Sequence, residues 1–372
     1  MAAGWEGGEQ MGTFNVRFEP IGEEIECGED ETILDAAFRS GLNLVHGCRE
    51  GRCSACKAFV LDEGWIYLKK YSSFALSDQE EEGGYTLLCR AVPESDVTIE
   101  LLNYDPDHYR LEHAITDGVG RVVDVEALTH DIRRLELQIE SPQGFGFLPG
   151  QFVDIWIPGT EQRRSFSMAN LPSDGRLEFI IKQYPGGRFG AMLDEGLTVG
   201  DSVKFTGPYG TCYLRDTGGS RSALLIAGGS GMAPILSLLR QMSEDGQGRT
   251  VSVFYGGRAR RDLFYTELVQ SLGKRIEQFE FIQVVSDESD SDGDGDDVRY
   301  GFVHDAVDQW IETSGFRLDA CDVYMAGPPP MVDAVNDVLT LRHQVEQNRI
   351  FVDKFTSTGP EESADSDSVS SL

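Results

Sequence analysis

The chain has 372 residues, 40% of them hydrophobic, with 63 acidic against 32 basic side chains and a net charge of −31. It is long enough for two or three domains of ~100–200 residues each, and no stretch approaches the ~18 consecutive apolar residues of a membrane span, so no membrane partner is expected. So acidic a chain is short of the Lys and Arg that phosphate contacts require, which argues against nucleic acid as a partner.

Met1–Gln10 has no basic stretch and no apolar core, so it is not a signal peptide, and Met11 is an alternative start. A cytoplasmic protein with reduced thiols and no disulfide framework is the expectation. Thr13–Phe18 and Glu23–Cys27 alternate as a hairpin across Pro20–Gly22. Thr32 and Asp35 have capping-box spacing and start a short helix, Ile33–Arg39, which Gly41 ends. A cysteine-rich loop follows, then short strands at Leu87–Leu88 and Val97–Leu101 and a linker at Tyr104–His108. This first module, 11–106, is the acidic one: Met1–Pro106 holds 21 acidic and 8 basic residues.

Residues 115–217 are rich in short β-type runs: Gly120–Val125, Ile132–Ile139, Phe152–Ile157, Leu177–Lys182 and Ser202–Thr206. Gly/Pro turns separate them at even spacing, the pattern of a small antiparallel barrel. From Ser222 strands and helices alternate as in a parallel α/β sheet, which makes 218–357 a third module. Its strands are Ala223–Ala227, Val251–Tyr255, Phe279–Val285, Asp322–Met325 and Arg349–Val352. Its helices are Ala233–Met242, Leu263–Leu272, Val303–Trp310 and Met331–Leu341. Residues 358–372 read as a disordered acidic tail. Within the acidic stretch Ser286–Asp297, a loop counted from Asp290 has Asp292, Asp294 and Gly295 like a calcium loop, but its position twelve is Gly301 rather than Glu and flanking helices are missing, so it reads as a solvated insertion. The six histidines show no metal-ligand spacing. The fold class is therefore multidomain, α+β followed by α/β.

Cys48, Cys53, Cys56 and Cys89 follow C-x₄-C-x₂-C with a fourth Cys 33 positions on, the plant-type ligand pattern of a 2Fe–2S cluster. Such a cluster is negative and needs close backbone N–H donors, which the small residues Gly47, Gly51, Ser54 and Ala55 permit. Zinc would call for paired knuckles, and only one C-x₂-C is present. Cys27, Cys212 and Cys321 fall outside the pattern and read as buried small hydrophobes.

Arg164-Ser165-Phe166-Ser167 ends a barrel strand. An Arg fork suits a pyrophosphate, an aromatic can lie on a flat ring, and a hydroxyl can reach a ring nitrogen; a surface turn explains the four residues as well. Lys182 and the turn Gly187-Arg188-Phe189 supply a second basic, Gly-rich segment. Gly228-Gly229-Ser230-Gly231, followed by Pro234, lies between a buried strand and a helix, where backbone can approach a pyrophosphate. Gly327-Pro328, followed by Met331, sits at the carboxyl end of a later strand, where such sheets bind ligands.

Together these segments, from about Thr13 to Thr356, resemble the reductase components of soluble di-iron monooxygenases of the methane, propane and alkene types, within the ferredoxin–NAD(P) reductase superfamily. The matching motifs are Cys48–Lys57, Glu82–Arg90, Arg164–Ser167 with Asn170–Pro172, Leu177–Ile180, Gly228–Pro234, Gly327–Met331 and Asp353–Phe355. The resemblance implies an N-terminal β-grasp ferredoxin with a 2Fe–2S cluster, an antiparallel β-barrel binding FAD and an α/β domain binding NADH. It implies that Arg164 holds the FAD pyrophosphate, that Phe166 lies by the flavin and that Ser167 bonds near its N5. Gly187, Arg188 and Phe189 would line the phosphate and adenine side, and Phe355 would cover the nicotinamide-facing side of the ring. Two positions depart from the family: Gly190 replaces a frequent Ser, and Ala326 replaces a frequent Cys.

The implied activity passes hydride from NADH to FAD and single electrons through the cluster to a di-iron hydroxylase. Arg258, Arg260 and Arg261 leave NADPH open as an alternative, since they could meet a 2′-phosphate. Service to a ring-hydroxylating dioxygenase and a non-catalytic electron carrier or docking protein are the rival readings. The acidity of the first module has two readings, steering onto a basic partner or adaptation of the source organism, the latter consistent with 7 Lys against 25 Arg.

Overall fold

The computed structural model describes residues 12–61, 64–219, 221–246, 248–289 and 298–355. The aspartates of the acidic insertion from 290 to 297 and the tail lie outside the described residues.

The first module contains β1 (Thr13–Glu19), β2 (Glu23–Gly28), α1 (Ile33–Arg39), β3 (Lys57–Val60), β4 (Ile66–Leu68), α2 (Asp78–Glu82), β5 (Tyr85–Leu87), β6 (Ala91–Pro93) and β7 (Val97–Leu101). Its main sheet has the order β2-β1-β7-β3-β5, with β1 and β7 parallel and the other pairs antiparallel. Alternation along β1 buries Val16 and Phe18 under α1, whose Ile33, Leu34, Ala36, Ala37 and Phe38 face them. The Thr32 hydroxyl accepts from Asp35 N–H at 3.2 Å and donates to the Asp35 carboxylate at 2.6 Å. Thr32 is thus the N-cap, and the Asp35 carboxylate accepts from the Thr32 hydroxyl where a full capping box would have it accept from the Thr32 backbone N–H.

The second module contains β8 (Thr116–Ala127), β9 (Ile132–Ser141), β10 (Phe152–Trp156), β11 (Arg163–Ser167), β12 (Arg176–Lys182), α3 (Arg188–Glu195) and β13 (Ser202–Tyr209). The strands pair antiparallel in the order β11-β10-β13-β8-β9-β12. A bridge between Met168 and Phe179 joins the two edges, closing the sheet around Leu135, Leu137, Val153, Phe179 and Phe205. Two structures here were not expected: Arg164–Ser167 is a strand in its own right, and Gly186–Gly187 opens a helix.

The third module is a six-stranded parallel sheet. It contains β14 (Ser222–Gly228), α4 (Met232–Asp245), β15 (Thr250–Gly257), α5 (Thr266–Gly273), β16 (Gln278–Val285), β17 (Val298–Tyr300), α6 (Val303–Ser314), β18 (Cys321–Gly327), α7 (Pro329–Asp337) and β19 (Ile350–Lys354). The order is β17-β16-β15-β14-β18-β19, with hydrophobic clusters on both faces. The chain thus leaves β14 in one direction and returns to its other side at β18, a topological switch point.

Two helix expectations are corrected. The helix placed from Leu263 begins only at Thr266, because Arg260–Asp262 forms a 3₁₀ turn and Tyr265 has φ of 58°. The helix placed to Leu341 is α-helical only to Asp337 and then widens to a π turn over Val338–Arg342. There the Thr340 hydroxyl bonds the Asn336 carbonyl at 2.8 Å, a competition that distorts helices.

The modules share side chains. Phe152 and Tyr209 of the barrel belong to the ferredoxin-like core, and Ile132, Ala169, Ile180 and Cys212 of the barrel pack with α4 and β14. Ser237 of α4 donates to Asn170 O at 2.7 Å, and Arg240 reaches Ala169 O and Glu178. Arg215 touches all three modules. Its guanidinium meets Asp105 of the linker at 3.1 Å, donates to the carbonyls of Tyr213 and Thr211 and lies over Phe351, while its N–H donates to Tyr324 Oη. Burial alone would raise the Asp105 carboxyl, but the His108 hydrogen bond and the Arg215 charge hold it below its ordinary value. Arg215→Met is expected to destabilise the chain by about 2–3 kcal/mol, since it takes the guanidinium from Asp105, which keeps only His108 and the Asp107 N–H, and takes the donor from two carbonyls. Chemical denaturation measures this, and an unchanged midpoint would remove Arg215 as the common tie.

Candidate redox sites

The cysteine loop runs from α1 to β3. Arg49, Gly51 and Ser54 adopt φ of 57°, 71° and 60°, which curls the backbone so that its N–H groups face sulfur. Glu50 and Arg52 donate to Cys48 Sγ at 3.4 and 3.2 Å, and Cys48 N–H donates to Cys53 Sγ at 3.2 Å. A side chain at Gly47 would come within 3.0 Å of Cys53 Sγ, and one at Gly51 within 2.8 Å of Tyr71 and Arg90. The cysteines fall into two neighbouring pairs, Cys48 with Cys53 and Cys56 with Cys89. Among the described residues no three His, Cys, Asp or Glu side chains converge as a single-ion site. Two pairs is the division that two irons sharing four thiolates ask for. The hydrogen bond from Cys53, and then those from backbone N–H groups, push the Cys48 thiol down to about 6 against its burial. The donor set fits a 2Fe–2S cluster. Cys27, Cys212 and Cys321 are buried elsewhere, and burial pushes the Cys27 thiol up to about 12.

The second assembly lies where the barrel meets the parallel sheet. Gly228–Gly231 leaves β14 and Gly327 ends β18, the two strands that flank the switch point. Side chains at Gly228 and Gly231 would strike Met331 and the Ala326 carbonyl, so these glycines are set by close approach of the two turns. Gly229 has φ of 55° and open space beside it, leaving the backbone of this turn accessible. Ser230 is buried, and Pro234 is buried in the first turn of α4. Phe355 N–H donates to Gly327 O at 2.9 Å, which seats Phe355 at the same end of the sheet.

Along β11, Arg164 and Phe166 share one face and Ser165 and Ser167 the other. Arg164 bonds its neighbour's carbonyl, and the Phe166 ring lies 4.5 Å from that of Phe189, which is buried in the barrel core. Lys182 is paired with Asp131, and Arg188 is exposed at the start of α3 behind Gly187. Ser167 donates to Asp353 at 2.6 Å, joining barrel to sheet. Asp353 lies two residues before Phe355 in the last strand, where nothing local in the sequence marks it as a partner of Ser167. Burial pushes its carboxyl up to about 6, against the Ser167 hydrogen bond. A side chain at Gly190 would meet Gln183 at 3.5 Å, ordinary contact, so a serine there would fit.

Three family matches cover the chain in order: the 2Fe-2S iron-sulfur cluster binding domain over residues 16–94, the oxidoreductase FAD-binding domain over 120–213 and the oxidoreductase NAD-binding domain over 225–337. The reductase component of propane 2-monooxygenase from Gordonia sp. (strain TY-5) is 47% identical over 93% of this chain and 98% of that protein. This chain is a reductase component of the multicomponent monooxygenases. The reductase component of phenol 2-monooxygenase from Pseudomonas sp. (strain CF600) is 34% identical over 92% of the chain and 94% of its own length. A solved ferredoxin reductase of carbazole 1,9a-dioxygenase superposes with a TM-score of 0.70 at 32% identity, covering 93% of this chain and 99% of that one.

In this reductase component the Ser167–Asp353 pair makes the junction pH-sensitive. The folded carboxyl titrates near 6, above its ordinary 3.8, so the folded chain retains a proton that the unfolded chain has lost. Stability therefore falls as pH rises from about 4 through about 6 and is level above that. Asp353→Asn is expected to remove this contribution, read as a flatter pH dependence of the thermal midpoint. A slope unchanged by the substitution would reassign the titration.

Proposed function

We propose that the chain is an NADH-dependent reductase that draws hydride at the barrel–sheet junction and hands single electrons from the cysteine loop to a di-iron hydroxylase. The observation that carries this is the order of the parts: Ser167, Asp353 and Phe355 meet the two glycine turns at one junction, and the cysteine loop is bonded through Arg49 and Asp154 to the strand pair that carries Ser167. When bound, a flavin converts hydride delivery into single-electron delivery, and a 2Fe–2S cluster takes electrons one at a time.

Cys48, Cys53, Cys56 and Cys89 would hold the cluster. Arg164, Phe166, Ser167, Lys182, Gly187 and Arg188 would hold FAD, while Phe189, expected on the phosphate and adenine side, is buried in the barrel core and would only back the Phe166 ring. Gly228, Gly229, Ser230, Gly231, Pro234, Gly327, Pro328 and Met331 would hold the dinucleotide. Ser167 donates its hydroxyl to Asp353, which leaves the Ser167 Oγ lone pairs free to accept, and the proton the pair can take up or release is that of the Asp353 carboxyl. Phe355, held at the junction by its bond to Gly327, would cover the nicotinamide-facing side of the flavin ring. The modules divide near 106–115 and 217.

NADH rather than NADPH is favoured by charge already matched at the end of β15. Glu288 accepts from Arg260 N–H at 2.8 Å and lies 3.5 Å from its guanidinium. Arg258 faces Asp131 at 3.5 Å and Asp262 at 3.7 Å. A 2′-phosphate would have to displace these carboxylates.

The partner is taken to be a di-iron hydroxylase because a propane 2-monooxygenase reductase is 47% identical, against 32% for the carbazole dioxygenase reductase. Docking is assigned to the acidic first module, where Phe74 is 95% exposed beside α2 and its Asp78, Glu81 and Glu82. A cytoplasmic setting suits Cys27, Cys212 and Cys321, which lie outside the cluster set and form no disulfide, and no described helix is long and apolar enough to cross a membrane.

The test is anaerobic titration of the reconstituted protein, then hydroxylase reduction across a salt series. NADH is expected to bleach the flavin faster than NADPH, and hydroxylase reduction to slow as salt rises. Failure of NADH to bleach the flavin would overturn the reading, and a salt-independent rate would remove the acidic module as the docking site.

A further inference from the structure

The cysteine loop is fastened to the barrel by one buried ion pair. Arg49, next to Cys48, donates from Nη1 to Asp154 Oδ2 at 2.8 Å, with side-chain exposures of only 6% and 4%. Its guanidinium lies 3.7 Å from the centre of the Tyr209 ring. On the barrel side Asp154 also accepts from Ser165 Oγ at 2.7 Å and faces Arg163 at 3.2 Å. A second contact runs beside it. His46 Nε2 accepts from Gly210 N–H at 2.9 Å, which leaves its proton on Nδ1, 2.7 Å from Leu44 O.

Three features mark this as more than surface pairing. A planar fork can bond a carboxylate and lie on an aromatic ring at once, which lysine cannot do. Arg49 holds φ of 57°, a conformation that non-glycine residues adopt only when surroundings over-determine it. Finally, β10 and β11 link the clamp to the junction: Asp154 pairs in register with Ser165, and Ser167, two residues on, reaches Asp353.

We propose that Arg49 is a positioning residue that locks the cysteine loop onto β10 and β11, so that the thiol-bearing loop and the barrel–sheet junction are held in fixed relation by one strand pair. The proposal rests on the assignment of the cluster to the four cysteines.

The test uses full-length protein carrying Arg49→Met, Arg49→Lys or Asp154→Asn. Amide exchange is measured at Gly210 and across residues 46–53 without added substrate, together with the EPR signal of the reduced protein and the ratio of cytochrome c to ferricyanide reduction. Arg49→Met and Asp154→Asn are expected to speed exchange about tenfold and to lower the rate ratio about tenfold with the EPR signal kept. Arg49→Lys should recover only part of each. Exchange and ratio within about twofold of wild type in both neutral variants would overturn the clamp. Should Arg49→Met lose the cluster signal, Asp154→Asn decides by the same readouts, since it leaves every loop residue in place. Absence of a cluster signal in the wild type would overturn the cysteine assignment instead, while exchange still reports on the clamp.

Discussion

Replacing Cys53 with serine is expected to leave ferricyanide reduction by NADH running while cytochrome c reduction falls by about 100-fold or more. The physical reason lies in how tightly the loop defines this sulfur. Cys48 N–H donates to it at 3.2 Å, and the Gly47 backbone stands so near that an added methyl would sit 3.0 Å away. A serine oxygen reaches less far from the backbone, and it is far more reluctant than a thiol to give up its proton. Ferricyanide can draw electrons at the flavin, whereas cytochrome c stands in for the hydroxylase. Equal loss of both activities would mean that electrons do not leave the flavin before reaching the cysteines. Full retention of cytochrome c reduction would strike Cys53 from the ligand set.

Gly231→Ala is expected to be the most damaging single-methyl change in the parallel sheet. Its φ of −59° suits any residue, so backbone freedom is not what glycine supplies here. The added carbon would fall inside contact distance of the Ala326 carbonyl and near Gly327, both backbone groups that cannot rotate away. Relief requires the β14 turn to move off β18, separating the two turns that flank the switch point. A cost of about 3 kcal/mol is expected for such overpacking, with KM for NADH raised by about tenfold or more. Thermal unfolding and steady-state kinetics check the two parts. A variant with unchanged KM would place the nucleotide away from this turn.

What could be read from the sequence was what is local in it. The spacing of Cys48, Cys53 and Cys56 is short enough that one loop must bring them together, and the Gly-rich turn announces itself between an apolar run and a helix. The alternation of Thr13–Phe18 and the strand–helix rhythm after Ser222 carried the fold for the same reason. Short elements escaped: β3, β4 and β6 have three or four residues, too few for a periodic signal. Arg164–Ser167 reads as a turn by composition, and only pairing with β10 makes it a strand. Tyr265 has no sequence mark of its left-handed backbone, so the apolar pattern alone points to a start of α5 three residues too early. The larger gap is pairing at a distance. Ser167 and Asp353 are 186 positions apart and Arg49 and Asp154 are 105 apart, so each partner alone looks like an ordinary polar residue of a strand or loop.

The sharing of Phe152 and Tyr209 between two cores bears on how such reductases can be recombined. Chimeras are usually cut at linkers, and Tyr104–His108 is the obvious place to graft a different iron–sulfur half. A graft made there would inherit the two rings but not the residues shaped to receive them, Phe38 at 5.6 Å from Tyr209 and His46 at 6.0 Å from Phe152. The seam that matters for exchanging halves is therefore a surface, not a point in the chain. Swapping the donor half productively means transplanting Phe38, His46 and Arg49 with it, or rewriting Phe152, Asp154 and Tyr209 to match the newcomer.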